Sequence, residues 1–194
     1  MSVYLDGEYT FGLAKIVAAW LKVGQEISKE NIEGLKAKDN EEVALQKAGK
    51  FLSYRPRSAD EVRKNLIKHK FEEEIIEKVI DRMAHGGLVN DVNFAELWVE
   101  NRSEFRPRGS RLLRMELRKK GIPDDVIENA TKDLNEDELA FRAARKQARK
   151  YKKLEWQEFR KKMNGFLARR GFEYGIISNV IPNVWEELVS HNNH

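Results

Sequence analysis

The chain has 194 residues, 41% hydrophobic and 35% charged, with a formal net charge of +4 and no cysteine. The absent cysteine excludes a disulfide framework, a Cys-ligated zinc site and a thiol nucleophile, and fits a reducing cytoplasm. No run approaches the roughly 20 apolar residues of a membrane span, and Asp6 and Glu8 interrupt the start where a signal peptide would turn apolar, so a soluble cytoplasmic protein is expected; it is also expected to be a monomer.

Val3 to Phe11 alternates around Asp6-Gly7, a pair that accepts the positive φ angles of a tight turn, which predicts a β-hairpin. A lone hairpin is marginal in water, so it is expected to lean on a following helix carrying Leu13, Ile16, Val17, Trp20 and Leu21. Gly24 should end that helix and Ser28 open a short one with Ile32 and Leu35. The polar string Lys36 to Glu42 then looks like a linker or frayed helical entry. From Glu41 onward the pattern is helical: Val43, Ala44, Ala48, Phe51 and Leu52 form one stripe, broken at Arg55-Pro56. Ser58 and Glu61 form a capping box that starts a helix bearing Val62 and Leu66. The acidic run Glu72 to Glu74 favours the positive end of the next helix, whose buried face is Ile75, Ile76, Val79, Ile80 and Met83.

The same syntax recurs. Asp91 can cap a helix with Phe94, Ala95, Leu97, Trp98 and Val99; Pro107 and Gly109 break it; Leu112, Leu113 and Leu117 mark the middle helix. Gly121 and Pro123 close that helix and begin one bearing Val126, Ile127, Ala130 and Leu134. A third unit opens with a helix from about Glu136 to Tyr151 that fits the register poorly, continues with Phe159, Met163, Phe166 and Leu167, and ends on Ile176, Ile177, Val180 and Ile181 before Pro182. Val184, Trp185 and Leu188 extend or dock that end, and the tail from His191 to His194 is expected to fray.

One register unites these units. Val62, Leu66, Phe71, Ile76, Val79 and Met83 map at a constant offset onto Leu113, Leu117, Ile122, Ile127, Ala130 and Leu134. A step one residue shorter maps them onto Met163, Leu167, Phe172, Ile177, Val180 and Val184. Such a period signals a stacked supersecondary unit. The expected architecture is all-α: a hairpin and helical extension over 1–40, then three-helix units over 41–88, 89–134 and 135–194, forming an elongated curved array.

Three motifs carry a family resemblance: Arg57-Ser58 with Glu61, Val62 and Leu66; Leu88 to Asp91 with Phe94, Ala95, Trp98, Val99 and Arg102; and Gly109 with Leu113, Glu116, Leu117 and Lys120-Gly121-Ile122. In order and spacing they resemble the bacterial RecX regulatory proteins, over roughly Val43 to Leu188, and the Tyr4 to Phe11 hairpin resembles the N-terminal extension of some members. The resemblance implies tandem three-helix repeats that bind the RecA filament in its groove and modulate, most often inhibit, its ATPase, strand exchange and coprotease action. Carried onto this chain, it makes Asn90 to Ile122 the leading recognition module.

Most motif residues have a structural explanation beside a functional one. Phe94, Trp98, Val99, Leu113, Leu117 and Ile122 are expected to face inward, Gly121 to end a helix, Asp91 to cap one, and Glu116 to pair with neighbouring basic residues of its own helix. Arginines concentrate at the two equivalent turns, and guanidinium groups bind carboxylate or phosphate bidentately. With the resemblance, Arg102, Arg106, Arg108, Arg111, Arg55 and Arg57 become RecA-binding candidates.

A second block, Arg142, Arg145, Lys146, Arg149, Lys150, Lys152 and Lys153, continues at Arg160 to Lys162 and at Arg169 and Arg170, with Tyr151, Trp156 and Phe159 interleaved. Either the cations neutralise phosphates while the rings stack on bases, or the rings are buried and the charges are solvated. The nucleic-acid candidates are Arg145, Lys146, Arg149, Lys150, Lys152 and Lys153, for ssDNA or dsDNA. His69 and His85 are isolated, and neither a Gly-rich phosphate loop nor a nucleophile elbow is present, so no catalytic residue, metal or cofactor is assigned. Beside the RecA reading stand an autonomous DNA-binding helical-repeat protein and an assembly scaffold without a nucleic-acid-linked partner.

Overall fold

The computed structural model describes residues 1–192, so part of the expectation for the tail from His191 to His194 falls outside the described residues. The chain forms two compact units, Met1–Asn90 and Asp91–His194. It is helical apart from the N-terminal hairpin.

In the first unit, β1 (Ser2–Leu5) and β2 (Glu8–Gly12) pair antiparallel, and the turn places Asp6 at φ 51° and Gly7 at φ 85°. The helix expected next is a single turn, α1 (Lys15–Ala18), and Trp20 is 86% exposed. The hairpin leans on this segment and on α2 (Lys29–Leu52) together: Val17, Leu21, Ile32 and Leu35 pack on Phe11, Leu13 and Ala18, while the Asp39 carboxylate accepts the Ala14 N–H at 2.5 Å. The stretch Lys36 to Glu42, expected as a linker or frayed helical entry, lies inside α2, fusing two expected helices into one of 24 residues. The reason is local: that stretch contains no proline, and Lys, Ala and Glu propagate a helix once the Ser28 hydroxyl, accepting the Asn31 N–H at 3.2 Å, has started it.

Packed against the C-terminal half of α2 are α3 (Ala59–Lys68) and α4 (Glu73–His85). Ala44, Ala48, Val62, Leu66, Ile76 and Val79 are fully buried there. Burying a Leu or Ile side chain contributes about 1.5–3 kcal/mol, so this small core carries most of the repeat's cohesion. Ser58 starts α3 as expected, its hydroxyl accepting the Glu61 N–H at 3.2 Å.

The second unit contains two further triplets. In the first of these, α5 (Asp91–Phe105), α6 (Ser110–Lys119) and α7 (Asp124–Thr131) close around Phe94, Ala95, Val99, Leu113, Leu117, Ile122 and Ile127. Asp91 is the first residue of α5, where a carboxylate is favoured by the helix dipole. The other triplet, α8 (Glu136–Ala148), α9 (Trp156–Arg169) and α10 (Tyr174–Asn192), closes around Ala140, Ala144, Phe159, Met163, Leu167, Ile177 and Val184. Pro182 does not end the last helix: Ile177 and Ile181 before it and Val184 after it are all buried, and that burial outweighs the lost backbone bond.

All three middle helices end in one way. Lys70, Gly121 and Gly171 occupy left-handed backbone at φ 62°, 73° and 86°. The next residues, Phe71, Ile122 and Phe172, return their N–H to the carbonyls of Leu66, Leu117 and Leu167 at 3.2–3.3 Å. This is the Schellman stop, in which an apolar residue after the turn packs on the last helical turn. The repeated apolar register thus corresponds to a repeated backbone device.

Candidate functional site

Within the second unit, α5 places Trp98, Arg102 and Phe105 on one side by their spacing of four and three residues, and α6 brings Glu116 beside them. The Glu116 carboxylate accepts the Trp98 indole N–H at 2.9 Å, lies 3.4 Å from Arg102 Nε and is ion-paired with Arg108. Arg102 lies 4.2 Å from the Trp98 ring centroid, and Lys120 5.3 Å from the same ring. Glu116 therefore reaches beyond its own helix. It joins α6 to α5 and to the Arg106-Pro107-Arg108 turn, because its half-buried position puts it within reach of cations that α5 and the turn supply.

The turn is also fixed from the other side. Gly109 donates its N–H to the Arg170 carbonyl at 2.9 Å, and Arg170 Nη1 donates to the Pro107 carbonyl at 2.9 Å. A Cβ at Gly109 would fall 2.4 Å from the Gly171 carbonyl oxygen, so the two backbones approach too closely for any side chain. Arg142, from α8, adds a contact to the Glu104 carboxylate at 3.2 Å. The second and third triplets are thereby locked around the turn.

Positive charge accumulates there faster than it is neutralised. Burial lowers the pKa of Arg108, and Arg102, Arg170 and Arg106 lower it further, despite the pairing with Glu116. Arg102 and Arg170 are lowered by burial and then by Arg106. All remain charged at neutral pH, but each is held among like charges. Beside the turn opens a cleft of about 540 Å³ whose cationic walls are Arg106, Arg108, Lys146, Lys150, Arg169 and Arg170, with Glu116 its sole acidic lining residue.

The predicted arginines consequently differ in availability. Arg102 and Arg108 are half-buried and committed to Glu116 and Trp98. Arg106 and Arg111 are exposed and, among the described residues, have no ion-pair partner. In the first unit, Arg55 is held by the Glu61 carboxylate at 2.9 Å, and Arg57 lies 4.0 Å from the Phe51 ring and 3.8 Å from Glu61. Burial and then Arg55 lower the Arg57 pKa, while Glu61 partly restores it.

The second basic block resolves into its two components. Phe159 is fully buried, and Tyr151, Trp156 and Trp185 pack around it with ring centroids 6.3, 6.4 and 4.9 Å away. These rings belong to the third core and are not an exposed stacking platform. Arg145 pairs with Glu187 at 2.7 Å, whereas Lys146, Arg149, Lys150, Lys152 and Lys153 are exposed without an ion-pair partner among the described residues. Arg170 and Glu116 acquire their positions only by folding, because the pairs they form join distant stretches of chain. The glycine at 171, one repeat after Gly121, is a local signal that could have singled out Arg170.

Among the described residues no helix is long and apolar enough to cross a membrane, and no group of three or more His, Asp or Glu side chains is placed to hold a metal. Family models for the first, second and third three-helix domains of RecX match residues 44–83, 90–130 and 135–181. A regulatory protein RecX of Bacillus pumilus is 31% identical over 191 residues, covering 96% of this chain and 73% of the relative. That of Prosthecochloris aestuarii is 34% identical over 148 residues, covering 76% of this chain and 95% of the relative. A crystal structure of regulatory protein RecX matches with a TM-score of 0.76 at 26% identity over 92% of this chain and 91% of that one. RecX from Lactobacillus salivarius matches at 0.66 and 28% identity over 76% and 97%. With three matched domains in order, each enclosing its own core, the chain belongs to the RecX family.

Proposed function

We propose that this protein binds the RecA filament and modulates it, in the inhibitory direction, with the Arg106 turn and the adjoining exposed face of α6 as its contact edge. The observation that carries this reading is the division of labour at that turn. Arg102 and Arg108 are tied to Glu116 and fix the backbone, while Arg106 and Arg111 remain exposed, with no ion-pair partner among the described residues. Phe105, 66% exposed beside Arg106, adds an apolar contact. Exposed arginine next to an exposed aromatic is the composition of interface hot spots, and a rigid turn lowers the entropy lost on docking. Arg55 and Arg57 belong to the proposal as secondary candidates, since both are engaged within their own unit.

The experiment is titration of the protein into RecA–ssDNA ATPase reactions, beside a DNA-only binding measurement. Arg106→Glu with Arg111→Glu should raise the concentration for half-inhibition by at least about tenfold, as loss of hot-spot contacts predicts, with helicity and melting unchanged. Unchanged inhibition by that variant removes these residues. DNA affinity without any RecA dependence would instead favour autonomous DNA binding through Lys146, Arg149, Lys150, Lys152 and Lys153, whose exposure is the observation on that side.

A further inference from the structure

We propose that the cleft between the Arg106 turn, α8 and α9 is a binding site for a compact chain of phosphates, of the size of a nucleoside triphosphate. The cleft is about 540 Å³, within the range of roughly 300–1,000 Å³ typical of small-molecule sites. Six cationic side chains line it, contributed by the turn, the end of α8 and the end of α9. The sole acidic lining residue, Glu116, is already committed to Arg102 and Arg108. Lys146, Lys150, Arg106 and Arg169 have no ion-pair partner among the described residues, so the concavity holds uncompensated charge. Like charges fixed around a low-dielectric recess repel one another, and an anion that enters relieves that repulsion while gaining charge-assisted hydrogen bonds.

Geometry selects the class of anion. The cations converge on one recess from three elements, so an anion with several adjacent charges meets several of them together. Orthophosphate satisfies one or two. A peptide spaces its carboxylates along an extended backbone, roughly 3.3 Å per residue, each on its own flexible side chain. The recess also has aromatic walls: Phe166 has the Arg170 guanidinium 4.6 Å from its ring centroid, and Phe105 is 66% exposed, a ring on which a base can stack. The burial and mutual repulsion that depress the Arg108 and Arg170 pKa values agree with an anion-seeking recess. This assignment shares Arg106 and Phe105 with the proposed contact edge but goes beyond that reading, and its test contains no RecA.

Calorimetric titrations of the full chain, without RecA, test it with inorganic tripolyphosphate, ATP, orthophosphate, an oligothymidylate and a poly-glutamate peptide. Tripolyphosphate and ATP should bind saturably at one site, weakening as salt rises. Lys150→Glu with Arg169→Glu should weaken both by at least about tenfold, as expected for removal of charge-assisted contacts. Lys152→Glu with Lys153→Glu, outside the cleft, should leave both nearly unchanged. ATP binding tighter than tripolyphosphate, and lost selectively in Phe105→Ala, assigns the site to a nucleoside triphosphate; equal binding assigns it to the phosphate chain alone. Should charge reversal lower the melting midpoint, Lys150→Ala with Arg169→Ala carries the same comparison. Orthophosphate binding as tightly as tripolyphosphate, equal losses in the two charge-reversed pairs, or binding confined to the oligothymidylate or the peptide each overturns the proposal.

Discussion

Removing the Glu116 carboxylate is the sharpest probe of how the candidate site is built. In Glu116→Ala the Trp98 indole N–H loses an ionised acceptor at 2.9 Å, and the Arg102 and Arg108 guanidinium groups lose their shared counter-ion. A hydrogen bond to a charged group contributes about 1.5–3 kcal/mol. Orphaning a fully buried ion costs about 3–5 kcal/mol, but these arginine side chains keep 21% and 24% of their exposure, so water offsets part of that. The expected loss is about 2–3 kcal/mol. For a compact unit on the order of 100 residues this lowers the melting midpoint by about 10 °C. Glu116→Gln, which keeps an oxygen acceptor for Trp98 without the charge, should lose roughly half as much. Urea unfolding followed by far-UV circular dichroism measures the loss. Arg108→Met added to Glu116→Ala should recover at least about 1 kcal/mol, since it removes one of the cations left unpaired. A Glu116→Ala protein within about 0.5 kcal/mol of the parent would falsify the view that this carboxylate holds the turn.

Backbone geometry and the ion pairs of the first unit give further expectations. Gly171→Ala places a Cβ 2.5 Å from Leu112 Cβ at a φ of 86°, so it should lose at least about 2 kcal/mol, and near-parental urea stability would contradict the close approach. Gly49→Ala, in the last turn of α2 with nothing within 4 Å of the new Cβ, should instead gain about 0.5 kcal/mol, and any loss counts against open space there. Lys70→Gly relieves a left-handed lysine at φ 62° and should raise stability by about 1 kcal/mol in the same assay; a decrease argues that the strain is absent. Glu74, through its hydrogen bond with Lys78, and Glu77, through its hydrogen bond with Arg63, have folded pKa values below the ordinary carboxylate value. Their contribution is therefore present above the unfolded pKa and is lost as pH falls through the lower folded value, so Glu77→Gln should flatten the acid limb of the melting profile. An acid limb identical to the parent's would show that this pairing is not maintained in solution.

The repeats and the three cores were legible in the sequence because each depends on residues close together along the chain. Val62 and Leu66, Leu113 and Leu117, and Met163 and Leu167 are pairs four residues apart, which a helix places on one face. Gly121 announced a helix end for the same reason. The length of α2 was harder to read, because the polar run Lys36 to Glu42 contains good helix formers as well as linker-like charge; helix propensity carries the helix through it, and Asp39 and Leu35 then dock on the hairpin segment. The site itself was half legible. A concentration of arginines at Arg106 and Arg108 is a property of composition, whereas which of them is available depends on partners elsewhere in the chain. Glu116 neutralises Arg108, and Arg170 closes on Pro107. Local sequence determined the apolar faces of the helices, the start at Ser58 and the stop at Gly121, because backbone hydrogen bonding and side-chain spacing act within a few residues. The cleft, its uncompensated charge and the burial of the third-unit rings were decided only by tertiary packing, because the Coulomb and desolvation energies that set them depend on distance through space.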